Sequence, residues 1–417
     1  MAAKISMRRM WAVAAFLAAT PALAACSSAT PEKASATPTA AVPSDLGVNS
    51  FSAGFTYMAR LRPLTAQGSG MVGVILGDSS AQSRFKDFEA QLQSAFEQAG
   101  YSSSRIKIDD ARGGDESQLS LAQEDIGQGA SVLVVDPLSD AVGADVARYA
   151  QDHGVKVITF DHPIFSGGNT YHVDFDNVRS GTLLGQGFMQ CVLDWKVSNP
   201  KVFILNGGED TDPNAIAVAQ GYNRVLWGDG TTPQRPGKTN NQGFVLIADQ
   251  IARGWDTTEG TSVFQEQYKA HKEINATLEA SDELGNAVIQ VLKKAGVKPR
   301  TVPATGQDAT LQGMVNVVQG YQCGSVYKPP YLEAQAAVAL ATVLRAGATP
   351  PRSLVNATLT PPAGVSGRQQ QAVLLAPTWV TLANLARTVL KDGFVSASAL
   401  CSVVGAAVCQ ANNIPTS

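Results

Sequence analysis

The chain has 417 residues, of which 44% are hydrophobic and 16% are charged, and its formal net charge is -3. This length is enough for two domains of ordinary size, and the hydrophobic fraction is normal for a globular protein. The slightly acidic balance excludes the basic field that attracts nucleic acid.

The N-terminus has the parts of a secretory signal peptide. A positive patch precedes an apolar stretch from Trp11 to Ala19, which is too short to span a bilayer comfortably. Small residues then lead to Cys26, and Leu-Ala-Ala-Cys resembles the bacterial lipobox, in which the cysteine is lipidated and becomes the new N-terminus. We expect residues 1–25 to be a lipoprotein signal peptide. The alternative is an ordinary cleaved signal followed by an incidental cysteine.

The residues after Cys26 are poor in large apolar side chains. From Ser27 to about Ser44 the chain is mostly Ser, Ala, Thr and Pro. Such a segment buries too little surface to offset its ordering entropy. We therefore expect residues 26–69 to be a lipidated cysteine and a flexible tether that leads to the folded body.

Short apolar runs alternate with segments of helical spacing from Met71 onward. Predicted strands are Met71–Leu76, Ser131–Val135, Lys156–Phe160, Val202–Leu205, Phe244–Ile247 and Ser325–Tyr327. Predicted helices are Phe85–Phe96, Val142–His153, Asn214–Leu226, Leu284–Ala295 and Leu332–Leu344. The alternation predicts an α/β fold with parallel sheets flanked by helices, and the number of strands favours two similar lobes.

Polar side chains follow the predicted strands at the points where they end. In parallel sheets these positions face the crevice where ligands bind. They are Asp78, Asp136, Asp161, His162, Asp176, Asn177, Asn206, Ser281, Asp282, Gln307, Asp308 and Lys328. Carboxylates and amides in this number, with a few aromatic residues, favour recognition of a neutral polyhydroxyl molecule, since charge-assisted hydrogen bonds contribute about 1.5–3 kcal/mol each.

Seven short segments indicate the function more specifically than the strand-end residues do. They are Val157–His162, Val173–Asn177, Gly207–Ala215, Gly254–Trp255, Ala280–Asp282, Gly306–Ala309 and Val326–Pro329. In this order and spacing they resemble the ribose/galactose/xylose-binding family of periplasmic sugar-binding proteins of ABC importers, and most closely its xylose-binding branch. The resemblance covers roughly Met71 to Phe394.

The resemblance implies a type I periplasmic binding protein fold, with two α/β lobes joined by a three-strand hinge. The first lobe would comprise residues 70–176 and 329–355, and the second lobe residues 177–328 and 356–417. The implied function is to capture a sugar outside the membrane and to deliver it to a permease with its ATPase. Closure of the lobes needs differential affinity for the closed state and no chemistry.

The resemblance also implies a set of ligand-binding residues. Phe85 and Trp255 would cover the two faces of the sugar ring, and Arg84 would donate to its hydroxyls. Asp161 would accept from hydroxyls, with His162 beside it. The contacts from the second lobe and the hinge would be Asn214, Asp282, Asp308 and Lys328.

Three positions depart from the xylose-binding pattern. His162 stands where the family has an arginine, Ser281 replaces an asparagine, and Phe85 replaces a stacking tryptophan. An imidazole cannot make the bidentate, permanently charged contact of a guanidinium. A different pentose, or an open-chain polyol without a ring oxygen, therefore fits these residues at least as well as xylose.

Four cysteines remain after Cys26, an even number in an oxidising compartment. Cys401 and Cys409 flank a small Ala/Val/Gly-rich loop and are predicted to form a disulfide, whereas a pairing of Cys191 with Cys323 stays open. The four histidines show no zinc-binding spacing and no cysteine joins them, so no metal or other cofactor is expected.

Two other classes of function stay open at this point. A sensor would use the same clamp to signal to a membrane receptor or kinase. A glycoside-cleaving enzyme would use two carboxylates that face a sugar, but the expected acids lie on both lobes and no triad order is visible. The sequence thus predicts a monomeric, extracytoplasmic, lipid-anchored protein that binds a xylose-like pentose or a polyol and is not an enzyme.

Overall fold

A computed structural model describes residues 40–79, 88–209 and 211–415, and these belong to one compact unit. The α-helices are α1 (Arg62–Gln67), α2 (Phe88–Gln98), α3 (Asp115–Gly127), α4 (Asp140–Asp152), α5 (Asn177–Asp194), α6 (Pro213–Trp227), α7 (Thr257–Ala270), α8 (Asp282–Lys294), α9 (Leu311–Gln319), α10 (Pro330–Arg345), α11 (Ala397–Val404) and α12 (Ala406–Ala411). The strands are β1 (Met71–Leu76), β2 (Ile106–Asp110), β3 (Ala130–Val135), β4 (Lys156–Phe160), β5 (Thr170–Phe175), β6 (Lys201–Gly207), β7 (Val245–Ala252), β8 (Ala276–Glu279), β9 (Ser325–Tyr327), β10 (Ala357–Leu359), β11 (Gln370–Leu375) and β12 (Thr378–Val380).

The first sheet has seven strands in the order β10-β11-β5-β4-β3-β1-β2. Its pairs are parallel except for β10, which runs antiparallel to β11 at the edge. The central strands β3 and β1 are apolar along their whole length and buried, as parallel strands covered on both faces must be. We call this sheet and the helices packed on it the first lobe.

The second sheet is built on β7-β6-β8, all parallel. Beyond β8, the backbone of residues 303–308 continues the hydrogen bonding: Thr277 N donates to Pro303 O, and Asp308 N donates to Val326 O in β9. The antiparallel strand β12 pairs with β9. This sheet and its helices are the second lobe.

Three short segments carry the chain from one sheet to the other. They lie between β5 and α5, between β9 and α10, and between β11 and β12, that is, at residues 176, 328–329 and 376–377. The described fold is therefore the predicted type I periplasmic binding protein fold with three crossings. The carboxyl ends of β3 and β4 in the first lobe and of β6 in the second lead into one cleft.

The helices cover both faces of each sheet. In the first lobe, α2 and α10 pack on one face and α3 and α4 on the other. In the second lobe, α5 and α6 cover one face and α7 and α8 the other, while α9 and α11 enclose a separate apolar cluster near the C-terminus. Both lobes thus have cores of their own, which lets them hold the strand ends rigidly.

Two predicted boundaries differ from the structure. Residues 356–417 were assigned to the second lobe, but β10 and β11 belong to the first sheet because β11 pairs in parallel with β5 along its whole length. Within the predicted tether of residues 26–69, the part from residue 40 onward is folded. Its side chains Leu46, Met58 and Leu61 are fully buried in the core of the first lobe, which a composition rich in small residues did not indicate.

Two disulfides brace the second lobe. Cys191 in α5 is joined to Cys323 just before β9, and Cys401 in α11 is joined to Cys409 in α12, with Cα atoms 5.8 Å apart in both pairs. The first of these pairings is the one that the sequence left open. Among the described residues, none of the helices is both long enough and apolar enough to cross a bilayer.

Candidate functional site

A cavity of about 560 Å³ lies between the two lobes at the carboxyl ends of the strands. The first lobe lines it with Pro137–Asp140, His162–Pro163 and Gly364–Ser366, and the second lobe with Gly208–Glu209, Thr211–Pro213 and Gly254–Trp255. Another cavity of about 420 Å³ lies in the first lobe, at the amino-terminal ends of β4, β5 and β11. The cleft is the candidate site, since ligands of open parallel sheets bind at the carboxyl ends of the strands.

The first-lobe wall is built from the ends of β3 and β4. These strands are parallel neighbours, so Asp136 and the pair Asp161-His162 come together. His162 Nδ1 lies 2.8 Å from Asp136 Oδ1 and 3.3 Å from Asp161 Oδ2. Asp161 has a φ of 60°, an uncommon value for a residue other than glycine, and this turn sets its carboxylate beside the ring.

The charge of His162 follows from these neighbours. Burial lowers the pKa of the imidazole, but the carboxylates of Asp161 and Asp136 outweigh it and raise the pKa to about 10. The side chain is one-third exposed, so part of the ring remains open to the cavity. At neutral pH His162 is therefore a cationic hydrogen-bond donor, held next to carboxylate acceptors.

The second-lobe wall presents an indole in a fixed position. Trp255 Nε1 donates to Asp212 Oδ2 at 3.1 Å, while Asp212 Oδ1 caps α6 by accepting from the backbone N–H groups of Asn214 and Ala215. The ring lies so close to Gly207 that a Cβ there would overlap it. Trp255 thus lines the cavity in a position fixed by the end of β6 and the start of α6.

Asn214 lies at a contact between the lobes. Its Nδ2 donates to the backbone oxygen of Asp161 at 3.0 Å, and its Oδ1 accepts from Asn177 Nδ2 at 3.0 Å. It lines a smaller neighbouring cavity of about 270 Å³ and not the main cleft. In this structure the predicted ligand-binding amide thus bridges the two lobes.

Asp308 and Lys328 lie together at the hinge. Both are buried, and Lys328 Nζ is 3.8 Å from Asp308 Oδ1. Asp308 has a φ of 89°, in the region that favours glycine, so the backbone is strained where the carboxylate turns toward the lysine. Neither residue lines the main cavity. The structure brings this predicted pair together beside the crossing from β9 to α10.

Asp282 lies inside the second lobe. It is 1% exposed, and its carboxylate accepts from Thr310 N and from Gln322 Nε2, both at 2.7 Å. Burial raises its pKa to about 8. The structure therefore does not bring this predicted ligand contact to the cavity but places it against α9 and the turn before β9.

The remaining predicted site residues fall on other parts of the chain. Arg84, Phe85 and Cys26 lie outside the described residues. Sequence reasoning missed the orienting role of Asp212, although the Asp-Pro pair at the start of a predicted helix signals an N-cap, and it missed Gly364–Ser366. Asp136, one of the strand-end residues, pairs with His162.

Two groups of side chains among the described residues place ligand atoms within 4.8 Å of one another, as a metal site would: Asp136 with Asp161 and His162, and Asp161 with Asp174 and Glu333. In the first, His162 Nδ1 already lies 2.8 Å from Asp136 Oδ1. In the second, Asp174 already accepts from the backbone N–H of Phe175 at 2.5 Å and from Asn177 at 2.6 Å. We assign no metal to either group.

The fold and the cleft define a class of protein: a type I periplasmic binding protein, in which two α/β lobes joined by three crossings enclose a ligand cavity. The profile of the periplasmic binding protein domain family matches residues 72–349. The chain belongs to this family.

Two curated relatives are similar over most of their length. The D-xylose-binding periplasmic protein of Escherichia coli is 28% identical over 297 residues, which cover 71% of this chain and 83% of the relative. The multiple sugar-binding periplasmic receptor ChvE of Rhizobium radiobacter is 26% identical over 348 residues, which cover 81% of this chain and 94% of the relative.

Solved structures share the fold. An ABC transporter solute-binding protein from Clostridium phytofermentans with bound β-D-glucose has a TM-score of 0.66 and 21% identity, covering 79% of this chain and 99% of that chain. The Caulobacter myo-inositol-binding protein has a TM-score of 0.59 and 21% identity, covering 78% of this chain and 97% of that chain. At these identities the likeness shows the fold alone.

Proposed function

We propose that the protein is an extracytoplasmic solute-binding lipoprotein of a carbohydrate ABC import system, which binds a monosaccharide or polyol in the cleft and delivers it to the permease. The observation that carries this proposal is the chemistry of the two walls. One wall offers a cationic donor at His162, with the buried carboxylate of Asp161 against it, and the exposed carboxylate of Asp140, and the other offers the indole of Trp255. Hydroxyls and the C–H face of a sugar need this combination.

The proposed contacts divide by position. His162 and Trp255 are the proposed contacts that line the cleft, with Asp212 orienting the indole, and Asp161 is a proposed acceptor buried against His162. Asn214 stabilises the approach of the lobes, and Asp308 with Lys328 provides a polar pair at the hinge. Arg84 and Phe85 complete the first-lobe side in the proposal on the strength of the sequence resemblance.

We further propose a xylose-like pentose or a polyol as the ligand. The names of the curated relatives support a pentose, since two D-xylose-binding and several ribose-binding proteins are among them. His162 supports the polyol, because a single-point donor in place of a guanidinium fits separate hydroxyls better than it fits a ring oxygen and its neighbour together.

Binding without catalysis is also part of the proposal. Asp136 and Asp161 both contact His162 on the first lobe. Glycoside hydrolysis needs two carboxyl groups that face the bond to be cleaved, whereas Asp136 and Asp161 are both buried and do not line the cavity. The lipobox-like sequence at Cys26 supports an anchored monomer outside the cytoplasmic membrane.

The anchor is tested by fractionation. Cys26→Ser removes the thiol that would carry the lipid, so the protein should move from the membrane fraction to the soluble extracytoplasmic fraction, while Cys409→Ser, which removes a disulfide partner, should leave it on the membrane. Retention of the Cys26→Ser protein on membranes would contradict lipid anchoring.

Sugar binding is tested by a thermal-shift screen of the purified protein against pentoses, hexoses, polyols and, as controls, amino acids. A ligand that binds only the folded state raises the Tm by an amount that grows with the logarithm of its concentration over Kd. A shift with a pentose or a polyol supports the proposal, and a shift with an amino acid alone contradicts it.

A further inference from the structure

The loop between β10 and β11, residues 360–369, leaves the edge of the first sheet and reaches the cleft. Its tip, Gly364–Ser366, lines the same cavity as His162 and Trp255. The residues before the tip, Thr360–Ala363, line the smaller cavity of about 270 Å³ instead. The loop therefore separates two spaces between the lobes.

The loop is held in place from both sides of its tip. On one side Val365 N donates to Pro362 O at 3.0 Å, which closes a turn after two consecutive prolines. On the other side Arg368 N donates to Phe165 O at 2.8 Å. Gly367, with a φ of 146°, lies so close to Phe165 that a Cβ would overlap the backbone oxygen.

The partner of the loop is itself fixed to the cleft. Phe165 N donates to Asp140 Oδ1 at 2.7 Å, and Ser166 N donates to the same oxygen at 3.3 Å. Asp140 begins α4 and lines the cavity. Since residues 163–166 directly follow His162, the position of the loop tip is tied to the first-lobe wall of the site.

Val365 is the one large apolar side chain of the tip. It is half-buried although it lies at the end of a loop, whereas Ala363, Gly364 and Ser366 are exposed. A β-branched side chain has few rotamers and forms a stiff surface. It therefore offers the cavity an apolar wall that cannot hydrogen-bond to a hydroxyl.

We propose that the loop of residues 360–369 is a specificity wall of the cleft, in which Val365 limits the size of the sugar and rejects a polar substituent at that end. This proposal rests on the proposed sugar-binding function. It adds a third element to the site, besides the strand ends of the two lobes.

The binding test compares two substitutions in the same loop. Val365→Phe enlarges the wall and should lower the affinity for the best sugar of the panel by about tenfold or more. Val365→Ala should improve the affinity for a sugar one hydroxymethyl group larger relative to that best sugar. Ala363→Phe adds the same ring outside the main cavity, at the smaller cavity of about 270 Å³, and should change the Kd less than about twofold. Isothermal titration calorimetry gives the Kd values. Equal Kd values for Val365→Phe and Ala363→Phe would overturn the proposal that Val365 forms a wall of the cleft.

A second measurement needs no ligand. In a Cys26→Ser background the four other cysteines are paired in disulfides, so a cysteine introduced into the loop can be labelled selectively with iodoacetamide. Val365→Cys should react several times more slowly than Ala363→Cys in the ligand-free protein. Equal rates would overturn the proposal that the loop tip packs against the cleft. If no sugar binds the wild-type protein, the proposed function fails, and the labelling rates still decide whether the tip is a wall of the cavity.

Discussion

Trp255 has the best-defined position of the proposed ligand contacts. Its indole nitrogen donates to Asp212, and its ring lies against Gly207. Trp255→Ala should lower ligand affinity by about tenfold, or about 1.4 kcal/mol, because it removes the surface on which a sugar ring would stack. Trp195→Ala is the matched control, since Trp195 lines a different cavity of about 250 Å³. Calorimetric Kd values that rise equally in both variants would show that Trp255 is not a ligand contact.

His162 should stay protonated throughout the physiological pH range. Although burial lowers the pKa, Asp161 and Asp136 raise it to about 10, so its ring signals in NMR should not titrate between about pH 6 and pH 8. The folded pKa lies above the unfolded value of about 6.5. The contribution of the charged ring to stability is therefore fully present below about pH 6.5 and is lost as the pH rises through about 10.

The His162→Gln variant serves two purposes in this experiment. It identifies the His162 signals by their disappearance, and its Tm deficit relative to the wild type should shrink as the pH rises toward 10. A titration midpoint near 6.5 would show that the carboxylates do not hold the proton, and the proposed cationic donor would be lost from the site.

Helix α6 links stability to the site through its N-cap. Asp212→Ala removes the cap and also the acceptor of Trp255 Nε1, so it should lower the free energy of unfolding by about 1 kcal/mol and weaken ligand binding. Ser396→Ala is the control: it removes the N-cap of α11, where the hydroxyl accepts from Ala399 N at 3.3 Å, and Ser396 does not line the cavity. It should cost similar stability and leave the Kd unchanged. Urea unfolding and calorimetry on both variants would contradict the orienting role of Asp212 if the two Kd values agreed.

At the level of elements, the sequence predicts the buried strands best. The bounds of β1, β4 and β9 agree with the structure because each is a short apolar run between polar residues. Strand β2 was missed because its residues Ile106–Asp110 are half-buried at the sheet edge and three of the five are charged. Strands β8 and β10, of four and three residues, were not predicted either.

The site was predictable where the strand-end rule applies. It brought His162 to the lining of the cleft and Asp161 directly against it, because consecutive parallel strands end at the same side of a sheet. The rule could not predict that Asp282 is buried, because its carboxylate is enclosed by Thr310 and Gln322, which follow it by 28 and 40 residues in the chain. Nor could it foresee Val365, whose position depends on backbone contacts with Phe165 and not on side-chain chemistry.

For the whole molecule, function depends on the two lobes holding one ligand between them. Three crossings join the sheets, and the hydrogen bond from Asn214 to Asp161 connects the lobes beside the cavity. A ligand that contacts both walls stabilises the closed arrangement by its differential affinity for it. One bound molecule must therefore touch Trp255 and His162 together.

A crystal structure of the protein grown with the tightest-binding sugar or polyol of the screen tests this requirement most directly. We predict ligand density in the cleft, with the ring or carbon chain against Trp255, hydroxyls within hydrogen-bond distance of Asp161 and His162, and Val365 at one end. Density in the cavity of about 420 Å³ at the amino-terminal ends of β4, β5 and β11, with the cleft unoccupied, would contradict the account.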